Sequence, residues 1–287
     1  MKKLLKSSYL NLHSFPLDDQ SLYIRKGLEL FKETGFDAAS IVTKTLIPAD
    51  QQWQPVVEQA LKDAVELGIP FTDCHLPYFS TKVNTDPVYA EECNKNMYTA
   101  LDIAKALQVK TAVLHPNCAT VTVRTFNKQS AYDAAMTHLS PYAEYAAKIG
   151  VDVIIENTRL VPGIRQSCRY CQGPEELCEL ADALGFGVCW DFGHANLAGL
   201  KQSEALAYVG KRLKAIHIHD NNGADDDHTA PFMGTVDWVD AMHGLALAEF
   251  DGRLNYELTT SRVPAEFRKE YAKYLVAAAD QLMEYIV

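Results

Sequence analysis

No stretch of about 18 or more apolar residues occurs in the chain, so no hydrophobic membrane-spanning helix is expected. The basic start MKKLLKSSYLNLHS lacks the run of about 7–15 apolar residues that a secretory signal needs, which points to a cytoplasmic protein. Basic residues are in short supply: 27 Lys and Arg stand against 37 Asp and Glu, a net charge of −10. Nucleic acid is therefore not an expected partner, because its non-specific binding depends on neutralising phosphates. Linker-like and low-complexity stretches are missing too. The seven cysteines are odd in number and scattered, which fits a reducing compartment. Cys168 and Cys171 form an isolated C-x-x-C whose only near neighbour is Cys178, a pattern that favours ordinary thiols over a structural zinc knuckle.

What the chain does have is apolar mass and alternation. Hydrophobic residues make up 48% of it, enough for a large core. Short apolar runs near 7–13, 38–43, 69–75, 110–115, 151–156, 186–191, 213–219 and 253–258 read as strands. Amphipathic stretches near 20–34, 53–67, 87–107, 128–149, 174–184, 203–210, 236–248 and 264–285 read as helices. Gly35, Gly68, Gly150 and Gly185 stand at helix stops, and Pro174 before two glutamates marks a helix start. Eight β-α units imply a closed (β/α)8 TIM barrel of the α/β class, one domain over residues 1–287. Its longer loops, 76–87, 116–127, 157–173 and 220–235, fall at the C-terminal ends of strands, where such barrels place their active sites.

Those same ends carry residues that bind metals: His75 in HLPY, His115 in LHPN, Glu156 in IIENTR, Asp191 and His194 in WDFGHAN, His217 and His219 in IHIHDNN, Asp226 and His228 in DDDH, and Glu257 in YELTT. Three acids facing one barrel mouth repel one another unless a cation or shared protons intervene, and burying any of them unpaired is costly. Mixed His and carboxylate donors suit zinc, manganese or cobalt better than calcium. His217 and His219 are two apart on one strand and share a side, so one can ligate while the other stacks above it or meets substrate. His13, His138 and His243 read as ordinary polar residues.

The string IHIHDNNGADDDHTAPFMGTVDW is similar to a stretch reading H-x-H-D-N-x-G, then D-x-H, then P-G-x-G-x-I-D-W in the xylose isomerase-like TIM-barrel superfamily. That superfamily includes endonuclease IV, ketohexose epimerases and many sugar phosphate isomerases/epimerases. Phe232 and Met233 stand near where it often has glycine. The resemblance implies a core metal site of Glu156, Asp191, Glu257 and one strand-seven histidine, with His217 favoured over His219. It implies one tightly bound ion and up to three, the endonuclease IV branch adding His75, His115, His194, Asp226 and His228. It makes Glu156 and Glu257 an acid/base pair and His194 a substrate contact. The arginine that ketohexose epimerases carry six residues after their ligand histidine has no counterpart at Gly223 or Asp225, which counts against a free ketohexose. Barrels of this superfamily often pair, so a homodimer is the oligomeric expectation.

Loop arginines Arg124, Arg159, Arg165, Arg169 and Arg262 are candidate anion binders, since guanidinium grips phosphate or carboxylate bidentately. Trp238, Trp190, Tyr78 and Phe79 are candidate walls for a sugar ring, with core packing the better expectation for Trp190. The functional expectation is a divalent-metal-dependent isomerase or epimerase of a sugar or sugar phosphate. Glu156 and Glu257 would move the proton through a metal-stabilised enediolate, with His194, His219, Arg159, Arg262 and Trp238 contacting substrate. The alternative is a zinc-dependent phosphodiesterase of the endonuclease IV kind.

Overall fold

The computed structural model describes residues 3–12, 20–47, 52–79, 81–116, 121–122, 124–160, 167–260 and 263–286. Eight strands follow one another: β1 Leu5–Tyr9, β2 Ala38–Val42, β3 Phe71–His75, β4 Thr111–Leu114, β5 Val153–Glu156, β6 Gly187–Asp191, β7 Leu213–Ile218 and β8 Arg253–Tyr256. All pair in parallel with their sequence neighbours, and β8 closes on β1 through the register Leu5↔Arg253 to Ser8↔Tyr256. The expected TIM barrel is therefore the fold. The first strand begins and ends earlier than its apolar pattern suggested, because a 3-10 turn at Leu10–Leu12 follows Tyr9.

Nine α-helices lie among the described residues: α1 Gln20–Thr34, α2 Gln54–Leu67, α3 Pro87–Ala106, α4 Lys128–Ile149, α5 Pro174–Leu184, α6 Phe192–Leu197, α7 Gln202–Val209, α8 Trp238–Leu247 and α9 Arg268–Glu284. The ends of α2, α4 and α5 fall on Gly68, Gly150 and Gly185, each in the left-handed conformation that terminates a helix without a Cβ penalty. Helix α6 was not legible from apolar periodicity, being only six residues long. Its signal was chemical: Asp191 sits three residues before His194 and its Oδ1 accepts the His194 backbone N–H at 2.7 Å. A two-residue antiparallel ribbon, Val121–Thr122 with Ser167–Cys168, ties together the loops after β4 and β5.

The strands are buried on both faces, which is why they read as continuous apolar runs. Outward residues such as Ile41, Leu114, Ile155, Trp190, Ile216 and Leu254 join the main core under the helices. Inward residues, spaced by two, form layers inside the barrel. One layer holds Val113, Ile154, Cys189 and Ala215 as a separate apolar cluster. Beside it, Ser7, Ser40 and Asn255 form a hydrogen-bonded chain at 3.2 and 2.9 Å. Toward the N-terminal ends of the strands, Arg253 grips Asp73 in a fork of 2.8 and 2.7 Å, and the Thr111 hydroxyl donates to the same carboxylate. Asp73 is 1% exposed and Arg253 9%.

That fork plugs the barrel floor with a matched pair of charges. Removing one partner leaves the other buried and uncompensated, so Arg253→Met should lower unfolding free energy by about 3–5 kcal/mol in denaturant titration. The double variant Asp73→Leu/Arg253→Met should recover most of that loss.

Candidate metal centre and active site

At the opposite end of the barrel the inward positions switch from packing residues to ligand types. His217, on β7, lies at the centre. Its Nδ1 is 3.0 Å from Glu156 Oε1, 2.9 Å from Glu257 Oε2 and 4.0 Å from Asp191 Oδ2. Its Nε2 is 3.0 Å from the hydroxyl of Tyr9, a buried β1 residue that fixes the ring's angle. One donor atom from each of Glu156, Asp191, His217 and Glu257 lies within 4.8 Å of all the others. The acids of β5, β6 and the end of β8 thus meet.

A second group shares Glu156. Its Oε2 is 3.4 Å from His75 Nε2 and 3.3 Å from His115 Nε2. A third group consists of His194, His219, Asp226 and His228, again with donors within 4.8 Å of one another. The strand-seven pair is therefore divided between groups: His217 stands with the three acids, and His219 with the third set. The His219 ring stacks on His228 at a centroid distance of 3.8 Å.

Backbone carbonyls set the imidazole orientations. His75 Nδ1 donates to the Leu76 carbonyl at 2.7 Å, His194 Nδ1 to that of Asn157 at 2.8 Å, and His228 Nδ1 to that of Glu257 at 2.9 Å. A carbonyl can only accept, so each Nε2 of the neutral ring turns a lone pair into the site. Asn157 also clamps β6, donating to the Asp191 carbonyl at 3.0 Å and accepting its N–H at 2.6 Å. Asn221 donates to the Gly193 carbonyl at 2.8 Å. Gly193 leaves room for the ring above it, since a Cβ there would lie 1.9 Å from His219 Cε1.

The charges are strongly coupled. Burial works against the Glu156 carboxylate, but His217 and His115 hold its pKa well below the ordinary range. Glu257 is likewise lowered against its burial, chiefly by His217. Asp226 is lowered against its burial by His194 and His228. Burial opposes protonation of His194 and His228, yet nearby acids carry them up to about 10 and about 9. His115 goes the other way, pushed down to about 4 by burial. The protein alone thus balances its acids with protonated imidazoles. The balance is incomplete: Asp191 Oδ2, Asp226 Oδ1 and His219 Nδ1 are buried without a hydrogen-bond partner, a costly arrangement, and His219 Nε2 has only a carboxylate oxygen of Asp191 at 2.9 Å. Oxygen and imidazole donors left in this way fit a divalent cation of the zinc, manganese or cobalt kind.

A cavity of about 170 Å³ opens over these groups, lined by Tyr78, His115, Arg159, Arg169, His194, Asp226, His228 and Glu257. Arg159 Nε lies 3.1 Å from Asp226 Oδ2. Arg124 is exposed, and Arg262, Arg165 and His13 lie outside the described residues. Trp238 does not reach the cavity: it is 4% exposed, and its indole N–H donates to Asp220 Oδ2 at 3.0 Å, pinning the loop after β7. Trp190 is fully buried and donates to Gln202, and Phe79 is also buried. His138 is half-buried on α4 and His243 exposed on α8, both outside the donor groups. Cys168, Cys171 and Cys178 are reduced thiols, and no metal-holding group among the described residues includes a cysteine. Phe232 adopts φ 70, the left-handed backbone that explains why glycine is common at this point of the similar stretch.

Residues 28–280 match the family model described as xylose isomerase-like TIM barrel. The chain belongs to that family. An uncharacterized protein of Methanocaldococcus jannaschii is 25% identical to it over 269 residues, which cover 91% of this chain and 88% of the relative. Among solved structures, a D-tagatose 3-epimerase-like protein superposes with a TM-score of 0.73 at 20% identity, covering 98% of both chains. A D-allulose 3-epimerase from Methylomonas sp., in complex with D-allulose, superposes with a TM-score of 0.75 at 16% identity, also covering 98% of both. These likenesses establish the family's fold for the whole barrel.

Tyr9, Asn157, Asn221 and Gly193 escaped the sequence reading because none is a ligand type. Tyr9 had a usable signal, since it lies two residues beyond Ser7 on the inward face of β1. The Gly193 contact yields a direct check. Gly193→Ala should displace the His219 ring, cost about 1–3 kcal/mol by overpacking, and shift the His219 imidazole signals in NMR spectra.

Proposed function

We propose that this protein is a divalent-metal-dependent isomerase or epimerase acting on a sugar or sugar phosphate. The observation that carries this reading is the meeting of Glu156, Asp191 and Glu257 around His217 Nδ1 beneath an open cavity. The solved epimerases of like fold support the reaction class. Glu156, Asp191, His217 and Glu257 would hold the ion. When bound, a divalent cation supplies Lewis acidity that polarises a substrate carbonyl and acidifies the neighbouring C–H.

The chain's own residues do the rest. Glu156 and Glu257 come from strands on different sides of the barrel, so their carboxylates approach a substrate from different directions. One takes the proton from the carbon beside the carbonyl, and the other returns a proton to the product. Both are held ionised, the state a base requires; the one that returns a proton must first take one up, as Glu257 can from the cavity it lines. His194 reaches the cavity wall, where it can hold a substrate hydroxyl. His219 is fully buried and acts through its stacking on His228.

A second reading has one observation in its favour. The groups His75–His115–Glu156 and His194–His219–Asp226–His228 flank the core set, as a multinuclear zinc phosphodiesterase of the endonuclease IV kind would require. The acidic net charge of −10 makes nucleic acid a poor substrate for it. Metal stoichiometry separates the two. Elemental analysis should return one tightly held divalent ion per chain, whereas three zincs together with cleavage of an abasic-site oligonucleotide would favour the hydrolase.

Two further outcomes follow from the site. Glu257→Gln should keep the fold and abolish exchange of the substrate C–H in deuterated water, and retained exchange would reject the two-glutamate mechanism. His194 and His228, raised to about 10 and about 9, carry protons at pH 7 that a metal must displace. Affinity for a weaker, additional ion at the third group should therefore rise as pH climbs from 7 toward 9. Calorimetric titrations of the third group's ion, run at pH 7 in buffers of different ionisation enthalpy, should register at least one proton released. A buffer-independent heat would contradict this.

A further inference from the structure

We infer that Tyr9 is the positioning residue of the core ion site: its hydroxyl accepts the Nε2–H of His217 and so commits Nδ1 of that ring to the cation. This rests on the ion-holding role proposed above for Glu156, Asp191, His217 and Glu257, and it names the group that prepares them. The core set contains one imidazole, and that ring is turned the opposite way from its neighbours. His75, His194 and His228 each give Nδ1–H to a backbone carbonyl and turn Nε2 into the site. His217 instead presents Nδ1 to the acids, 2.9 Å from Glu257 Oε2 and 3.0 Å from Glu156 Oε1. Its Nε2 lies 3.0 Å from the Tyr9 hydroxyl, a side chain rather than a backbone partner.

A neutral imidazole that ligates through Nδ1 keeps its proton on Nε2. Here that proton lies away from water, since His217 is 0% exposed and Tyr9 2%. A buried donor left without an acceptor is costly. The Cys189 thiol borders the same ring, but sulfur accepts hydrogen bonds weakly. The phenol oxygen is therefore the acceptor that satisfies the ring when Nδ1 is given to an ion. Tyr9 is itself held in place. It is the last residue of β1, in register with Ser40 of β2. Its ring is wedged against two imidazoles, edge-on to His217 with centroids 5.5 Å apart and tilted against His75 at 6.3 Å. A phenol is also a milder partner than the carboxylates that often back ligating histidines. A neutral acceptor draws less on the Nε2 proton, so the ring donates less electron density and a bound ion keeps more charge for polarising a substrate carbonyl.

The test titrates the full metal-free chain with cobalt(II) and measures affinity by chelator competition, with Glu156→Gln as the control for binding at the core set. Tyr9→Phe should bind cobalt about 10–100-fold more weakly than the unsubstituted chain, and its visible ligand-field bands should shift. A tyrosine that merely supported the fold would lower the melting temperature of the metal-free chain and leave the affinity and the bands of the folded protein unchanged. A second measurement needs no variant. In long-range proton–nitrogen NMR spectra of the zinc-loaded chain, the His217 ring should carry its proton on Nε2. A proton on Nδ1 instead, or undiminished cobalt affinity in Tyr9→Phe where Glu156→Gln has lost it, would overturn the role of Tyr9 and leave the ion site standing. Cobalt binding that survives unchanged in Glu156→Gln would overturn the core ion site itself, and the inference with it.

Discussion

The Glu156 carboxylate is fully buried and ionised, and the catalytic end of the barrel is organised by that fact. An isolated carboxylate so far from water would protonate. This one does not, because His217 stands at 3.0 Å on one oxygen while His75 stands at 3.4 Å on the other. Each partner is held in turn: His217 by Tyr9, His75 by the Leu76 carbonyl. The charge sits at the junction of two donor groups, so a change at Glu156 is felt by both.

The barrel supports this by dividing labour along its axis. Inward positions near the strand starts carry a self-sufficient ion pair, Asp73 with Arg253, satisfied by a fork and a threonine hydroxyl. The middle carries the apolar cluster Val113, Ile154, Cys189 and Ala215 beside the hydrogen-bonded Ser7, Ser40 and Asn255. The strand ends carry polar atoms that the protein alone leaves unsatisfied, such as Asp191 Oδ2 and Asp226 Oδ1. Rigid layers below make it possible to hold unsatisfied donors above, and those donors are what a cation and a substrate would complete.

Much of this was legible in the sequence. Parallel strands are buried on both faces and separated by amphipathic helices, so the eight-fold alternation identified the barrel. The acids and histidines at strand ends were found because a strand's last inward residue must face the mouth. The partition of His217 and His219 was not legible. The two lie two apart on one strand; His217 meets Glu156 and Glu257, while His219, seated over Gly193, meets only Asp191 among the acids of the core set. Trp238 resembled a sugar platform in composition, yet its indole N–H is committed to Asp220, a partner whose position depends on how the loop after β7 folds back. Helix α6 escaped because six residues give no periodicity, although its Asp191 cap was visible as chemistry. The arginines of the loop after β5 could not be sorted, since that loop folds back through contacts remote in sequence: the Thr158 N–H donates to the Cys171 carbonyl and its hydroxyl to the Tyr170 carbonyl.

The account's central claim is that the acids and imidazoles at the barrel mouth are arranged to hold a cation. The most direct measurement is an anomalous-scattering map of crystals grown from protein purified with its native metal. The account predicts a peak about 2.0–2.2 Å from oxygens of Glu156, Asp191 and Glu257 and from His217 Nδ1. A metal bound elsewhere in the chain, with these four side chains bonded only to one another, would contradict it.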